Sequence, residues 1–408
     1  MKSKSRLFVL IAKKKVSLPL SFLRLRFIEW KAIFIQFLEV RGFKDRSSTQ
    51  KRVFNLDLHI AVIEDFAREF RSNNVKLTRF SISGHNHIAN LPLPATDPVS
   101  IVNQRTWKTL DLEMIKKFRI RYQKFLETFD GFIVTHSPAF FELFSHTDKP
   151  ILAVASTRYE APYTGNQVRW NELNHELNRN VLEGKLTLIA NNKGDADYLN
   201  YFTGIEVKVL PSYCGGKGIW TGDSSKRVTL ARDYKLKTAI QEKTHGLFQP
   251  IDILGTPYKW KELLDCLEVF VIPQNISTMT LFELSTAGVP VVVPGRKLFL
   301  QLREEYSGVL DELTFAEING LHIESTLENP ANWKSEKYLD WWLDRSDFYD
   351  KKLMPNVRVA DTLDELMLPD ESVLRLRGEA DERIQKRNIS ILKQRQEFMS
   401  DWLSKFEK

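Results

Sequence analysis

Short, nearly continuous apolar runs recur along the chain, and most are followed by a stretch whose apolar positions fall three or four residues apart. Continuous apolar runs fit strands buried on both faces, and the wider spacing fits amphipathic helices. Alternation of the two predicts a parallel sheet covered by helices. In the first half the start of RVFNLDLHIAVIEDFAREF, up to a turn around Asp57 to His59, and KLTRFSISGH, GFIVTH, KPILAVAST and LTLIANN read as strands. IEDFAREF, MIKKFRIRYQKFLETF and DADYLNYF read as helices between them, and VKVLPS closes the series near residue 212. Residues 213–227, YCGGKGIWTGDSSKR, are rich in Gly, Ser and Lys and mark a boundary. A second series follows: VTLA, PIDILG, a helix over WKELLDCLE, the strand VFVIP, a short helix and PVVVP. Beyond residue 370 the chain is charged and reads as one long helix.

The expected fold class is therefore α/β, with two tandem Rossmann-like domains, a cleft between them and a C-terminal helix. The expected division is a basic N-terminal arm over 1–50, a first domain over 51–212, a second over 213–370 and a helical segment over 371–408. With 408 residues the chain exceeds what one core usually serves.

One stretch carries the most chemistry. Residues 275–294 read NISTMTLFELSTAGVPVVVP. Asn275 to Thr280 form the loop from a strand into a helix, where the first amides lack partners within the helix and carry the positive end of its dipole. Such a helix start binds anions, and Ser277, Thr278 and Thr280 add hydroxyls beside Met279. Glu283 lies one turn further along, placed for a neutral diol such as a ribose. The plain alternative is a capping box, T-x-x-E from Thr280 to Glu283, which needs no ligand.

The order of strand, polar turn, helix with Glu283, then Gly288 and Pro290-Val291-Val292 resembles the donor-site signature of GT-B glycosyltransferases, particularly the retaining group-1 type. ILGTPYKWKELLDCLEVFVIPQ upstream resembles the family's approach to that site, and FDGFIVTHSPAF, IANNKGDADYLN and GIEVKVLPS resemble parts of its first domain. The resemblance spans about residues 53–300. It implies that the amides around Ser277, Thr278, Met279 and Thr280 bind a donor diphosphate and that Glu283 binds ribose. Asn275 stands where the family often has a second Glu, and no glycine-rich strand with basic residues is evident between 213 and 255. Arg232 and Lys235, with Lys237, are the candidates for that charge.

Several first-domain residues stand at strand ends. His59 and Asp57, in FNLDLHIAV, are candidates for a base and the group that orients it; a histidine satisfied within its own loop is the alternative. His136 ends IVTH, and Glu160 follows the next strand as a further candidate base. Ser83, Gly84, His85 and Arg158 are candidates for acceptor contact; His85-x-His87 lacks the further ligands a metal site needs. Asp195-Ala196-Asp197 reads as a helix cap rather than a metal-binding pair. No phosphate-loop or dinucleotide fingerprint occurs.

The expected function is transfer of a sugar from a nucleotide-sugar donor to a glycan, lipid-linked or other hydroxyl acceptor, with no metal and no cofactor. Two alternatives stay open: a nucleotide-sugar epimerase on the same scaffold, and a noncatalytic sugar-binding or assembly protein.

Composition refines the picture. Residues 1–52 hold 14 Lys/Arg against three acids, a net of +11, while the remaining 356 hold 45 against 49, a net of −4. The basicity belongs to the arm, so the body offers no basic stripe for nucleic acid. The arm's longest uncharged runs, 16–23 and 32–38, fall short of the roughly 20 residues that span a bilayer. Its Trp and Phe among basic residues suit peripheral contact with an anionic membrane surface; a helix lying on the body is the alternative. Two cysteines, Cys214 and Cys266, make no disulfide framework, and a reducing, cytoplasmic setting is expected.

Overall fold

The computed structural model describes residues 50–58, 60–82, 101–163, 165–255, 258–311, 313, 330 and 337–407. Most of the basic arm, His59, and Ser83, Gly84, His85 and His87 lie outside the described residues.

The first domain is built on β1 (Arg52–Asp57), β2 (Lys76–Ser81), β3 (Gly131–His136), β4 (Ile151–Ala155), β5 (Leu186–Ala190) and β6 (Lys208–Val209). All pairings are parallel, in the order β2-β1-β3-β4-β5-β6. Helices α1 (Ile60–Ser72), α2 (Leu112–Leu126), α3 (Gln167–Leu182) and α4 (Lys193–Thr203) connect them. β4 and all but the last position of β3 are buried along their length, which is why they read as uninterrupted apolar runs. Phe54 of β1 is fully buried among Phe80, Phe125, Phe129 and Phe144, with ring centroids 5.2 to 5.8 Å apart.

The second domain holds β7 (Arg227–Leu230), α5 (Tyr234–Lys243), β8 (Phe248–Pro250), α6 (Trp260–Leu264), β9 (Glu268–Val271), α7 (Met279–Ala287), β10 (Val291–Pro294), α8 (Arg296–Glu305), α9 (Tyr338–Leu343) and β11 (Val357–Ala360). Its parallel order, β11-β10-β9-β7-β8, repeats the winding of the first sheet. In each sheet the order reverses beside the first strand: between β1 and β3, and between β7 and β9. The loops leaving the carboxyl ends of strands at such a reversal are the usual ligand position in sheets of this kind. PIDILG is not the strand its apolar residues suggest. β8 pairs three residues with β7 and ends at Pro250, and Ile251–Leu254 form a 3-10 turn.

A C-terminal helix, α10 (Asp370–Ser404), ties the two domains together. Near its start Arg377 donates from Nε to the carbonyl of Gly288, which ends α7 in the left-handed region at φ 78°. Near its end Trp402 is 1% exposed and packs edge-on against Phe70 of α1, 6.0 Å between centroids. Between these points Arg395, 2% exposed, pairs with Glu69 of α1 and donates from Nη1 to the carbonyl of Pro211 at 3.0 Å. Asp65, one turn before Glu69, accepts the backbone amides of Tyr213 and Cys214 at 2.7 and 2.9 Å. The crossing from first to second sheet is thus held by α1 and α10 together.

Arg395→Ala leaves Glu69 and Asp65 buried without their countercharge. A loss of about 3–5 kcal/mol is expected, read as a lower urea midpoint. An unchanged midpoint would show that the crossing is held by packing alone.

Candidate functional site

The two sheets meet at their carboxyl ends, and Arg158 sits where they meet. It leaves the first sheet just after β4 and is 1% exposed. Its Nη2 lies 2.8 Å from a carboxylate oxygen of Asp195 in α4. The same nitrogen donates across the seam to Asn275 Oδ1 at 3.0 Å and Ser277 Oγ at 3.3 Å. Nη1 donates to the Leu313 carbonyl at 3.2 Å, and the guanidinium lies 5.0 Å from the Trp342 ring centroid. Asn275, Ser277, Leu313 and Trp342 all belong to the second domain. Arg158 was expected to face an acceptor; in this structure it grips the loop that opens α7.

That loop is short because β9 ends at Val271 and α7 begins at Met279. Thr278 is the residue before the helix, and no side chain caps it. Its hydroxyl instead donates backward to the Asn275 carbonyl at 2.6 Å. The Met279 and Thr280 amides have no acceptor among the described residues. The capping box from Thr280 to Glu283 is therefore not formed: the helix starts one position before Thr280, so Glu283 is the fifth helical residue. Ser277 Oγ, 6% exposed as a residue, donates to the Ser156 carbonyl at 2.9 Å and closes the seam from the other side. Met279 packs its sulfur 3.3 Å from Asn191 Nδ2 at the end of β5. Ile276 fits against Gly194, where a Cβ would collide with it.

On the first-domain side, His136 ends β3 with φ 80°, a conformation uncommon outside glycine. Its Nδ1 lies 3.1 Å from Ser156 Oγ. Asp57, at the matching end of β1, is fully buried and accepts the Ser81 hydroxyl at 2.7 Å. Glu160 is also fully buried, accepting the Tyr198 hydroxyl at 2.7 Å. Burial pushes its carboxyl up to about 7, against the pull of the Tyr198 hydrogen bond. Its carboxyl is thus enclosed beside Tyr198, within electrostatic reach of Arg158 and Asp195.

Glu283 stands apart from Arg158. It is 8% exposed and 3.7 Å from Lys217 in the interdomain crossing, whose ammonium also lies 5.2 Å from the Trp260 ring centroid. Burial raises its carboxyl to about 7; Lys217 opposes this and Asp65 adds to it. Arg232, just past β7, is exposed and donates to Gln274 Oε1 at 3.1 Å, spanning the reversal point of the second sheet next to the α7 loop. Lys235 is exposed in the first turn of α5, and Lys237 pairs with Asp252.

Asp195 is not the helix cap. Asn192 fills that position and accepts the Asp195 amide at 2.8 Å, which frees the Asp195 carboxylate for Arg158. Asp197 instead pairs with Arg345 at 2.9 Å. Sequence reasoning missed Ser156, Asn191, Lys217 and Asp347. Asp347 is buried beside the start of α4, and burial raises its carboxyl to about 7. Only the position of Asn191 and Asn192 at the end of an apolar run offered a signal.

No protein-family model matches this chain, and no curated protein does so. Solved structures to which the chain bears some likeness include glycosyltransferases. One is the glycotransferase of kitacinnamycin, at 11% identity and TM-score 0.44, covering 87% of this chain and all of that one. Another is the spinosyn forosaminyltransferase SpnP, at 11% identity and TM-score 0.41, covering 86% of this chain and all of that one. A third is the spinosyn rhamnosyltransferase SpnG complexed with thymidine diphosphate, at 11% identity and TM-score 0.39, covering 84% of this chain and 99% of that one.

Glu160 keeps its proton in the folded chain at pH values where an unfolded carboxylate has lost it. Its contribution to stability is complete below 4.5 and is lost as pH rises through about 7. Glu160→Gln should flatten part of that fall, measured as denaturation midpoints from pH 4.5 to 8. An identical profile in both proteins would place the titration elsewhere.

Proposed function

We propose that the chain transfers a sugar from a nucleotide-sugar donor to a hydroxyl acceptor in the seam between its two sheets. One observation carries this reading. The uncapped start of α7, with free Met279 and Thr280 amides among the described residues, faces the first domain's carboxyl edge with Arg158 beside it. A helix start and a guanidinium are both positive, and they meet at one place. Asp195 offsets part of that charge, and a diphosphate would be drawn to the rest.

In this reading the donor diphosphate lies along the α7 amides, with Ser277, Thr278 and Arg232 as additional donors. Glu283, with Lys217 as its counterion, takes the ribose. In the transfer the acceptor oxygen bonds to the anomeric carbon as the bond from that carbon to the diphosphate oxygen breaks. The diphosphate leaves with the electron pair, its charge met by the helix amides and the guanidinium. His136 takes the acceptor proton on Nε2, since Nδ1 is engaged by Ser156, the arrangement that sets an imidazole's tautomer. This course is a direct displacement, which inverts the anomeric centre; a product with retained configuration would remove His136 from that role. The acceptor is a glycan, a lipid-linked group or another hydroxyl compound.

A panel of nucleoside diphosphates and their sugars tests the donor site by thermal shift. A ligand at 100 times its Kd adds about 2.7 kcal/mol of stability. Thr280→Asp discriminates further, because a carboxylate in the first helical turn stabilises a free helix by about 0.3–1 kcal/mol but repels a diphosphate. The expected result is an unliganded midpoint equal or higher, with the ligand shift lost. A ligand shift that survives Thr280→Asp would count against the α7 start as the diphosphate site.

A further inference from the structure

The strands that lead to α7 at one end frame a cavity at the other. It measures about 270 Å³ and lies at the amino-terminal residues of β9, β10 and β11, roofed by the first half of α10. A volume just below that of drug-sized pockets suits a small metabolite. Pro290, Val291, Val373 and Leu376 give it an apolar surface.

Its charge is one-sided. Lys351, Arg358, Arg377 and Arg383 line it, with Glu268 the acid among the lining residues. Glu268 is already committed: Arg358 grips it with Nε at 2.6 Å and Nη2 at 3.1 Å, and Arg227 approaches to 3.6 Å. Arg377 is committed to the Gly288 carbonyl and to Asp381. Lys351 donates to a neutral acceptor, the Val357 carbonyl. Among the described residues neither Lys351 nor Arg383 has a carboxylate partner. Both cations line the same cavity, and burial, with Arg383 adding to it, holds the Lys351 ammonium below its usual pKa. Two like charges over a partly apolar cavity repel each other, and a doubly charged anion would relieve that repulsion.

We propose that this cavity binds a small phosphorylated metabolite, with its phosphoryl group between Lys351 and Arg383 and its apolar part against Val291, Val373 and Leu376. The site is separate from the interdomain seam, at the opposite end of the same sheet. Phosphate suits it better than a single carboxylate because its charge matches both cations.

Calorimetric titration in a phosphate-free, low-salt buffer tests the site with two probes, phenyl phosphate and inorganic phosphate. Both residues are exposed overall, though the Lys351 ammonium is partly buried at the Val357 carbonyl, so the unfolding midpoint of the double variant Lys351→Gln/Arg383→Gln is measured beside its binding, and loss of binding counts only with that midpoint kept. Phenyl phosphate should bind saturably and more tightly than phosphate, and the double variant should weaken it by about tenfold or more. Thr280→Asp should leave this binding unchanged. The proposal is overturned if neither probe binds, if both bind the double variant as well as the parent, or if Thr280→Asp abolishes binding. Phosphate binding as tightly as phenyl phosphate would overturn the organic ligand.

Discussion

A buried guanidinium links the two halves of this protein where their sheets meet. Arg158 emerges from the first sheet, takes its countercharge from Asp195 of the same domain, and spends its remaining hydrogen bonds on Asn275, Ser277 and Leu313 of the other. Removing a charge from water costs several kcal/mol, recovered only where geometry is good and the remaining donors are satisfied. Such a group has little freedom to move. It fixes the distance between the carboxyl edge of the first sheet and the start of α7, and with it the position of every polar group along the seam.

The topology explains why chemistry gathers there. Both sheets wind in the same order, so each reverses beside its first strand. Asp57 and His136 flank the first reversal, and Arg232 with Gln274 spans the second. α10 and the crossing near residue 213 keep these two points facing each other, through Arg395, Glu69 and Asp65. The core supplies rigidity, the strand ends supply reactive groups, and the seam brings together groups that neither domain holds alone. His136 illustrates this: its strained backbone turns the ring toward Ser156, whose carbonyl in turn receives Ser277 from the other domain.

Much of this was legible along the chain, for a physical reason. Strands buried on both faces must be apolar throughout, so runs such as GFIVTH and PVVVP declare themselves, as does the long charged helix after residue 370. The loop before α7 was legible as a helix start, but not its partners. The capping box failed because the helix begins one residue before Thr280, and the cap by Asp195 failed because Asn192 takes that place and leaves the carboxylate to Arg158, contacts that local rules do not foresee. Arg158 was read as an acceptor contact and Glu160 as a base; in the fold Arg158 also bridges the domains and Glu160 is buried against Tyr198, partners the sequence did not show. Lys217 was unreadable, because a lysine in a glycine-rich crossing shows its partner, Glu283, only when the chain is folded.

The central claim is that an anion docks on the amides where α7 begins. Hydrogen exchange resolved to single residues, with and without a saturating nucleoside diphosphate, tests it most directly. Protection should concentrate on Thr278, Met279 and Thr280 and extend to the β4 loop around Arg158. Protection confined to other regions, with those amides exchanging at the same rate, would contradict the account.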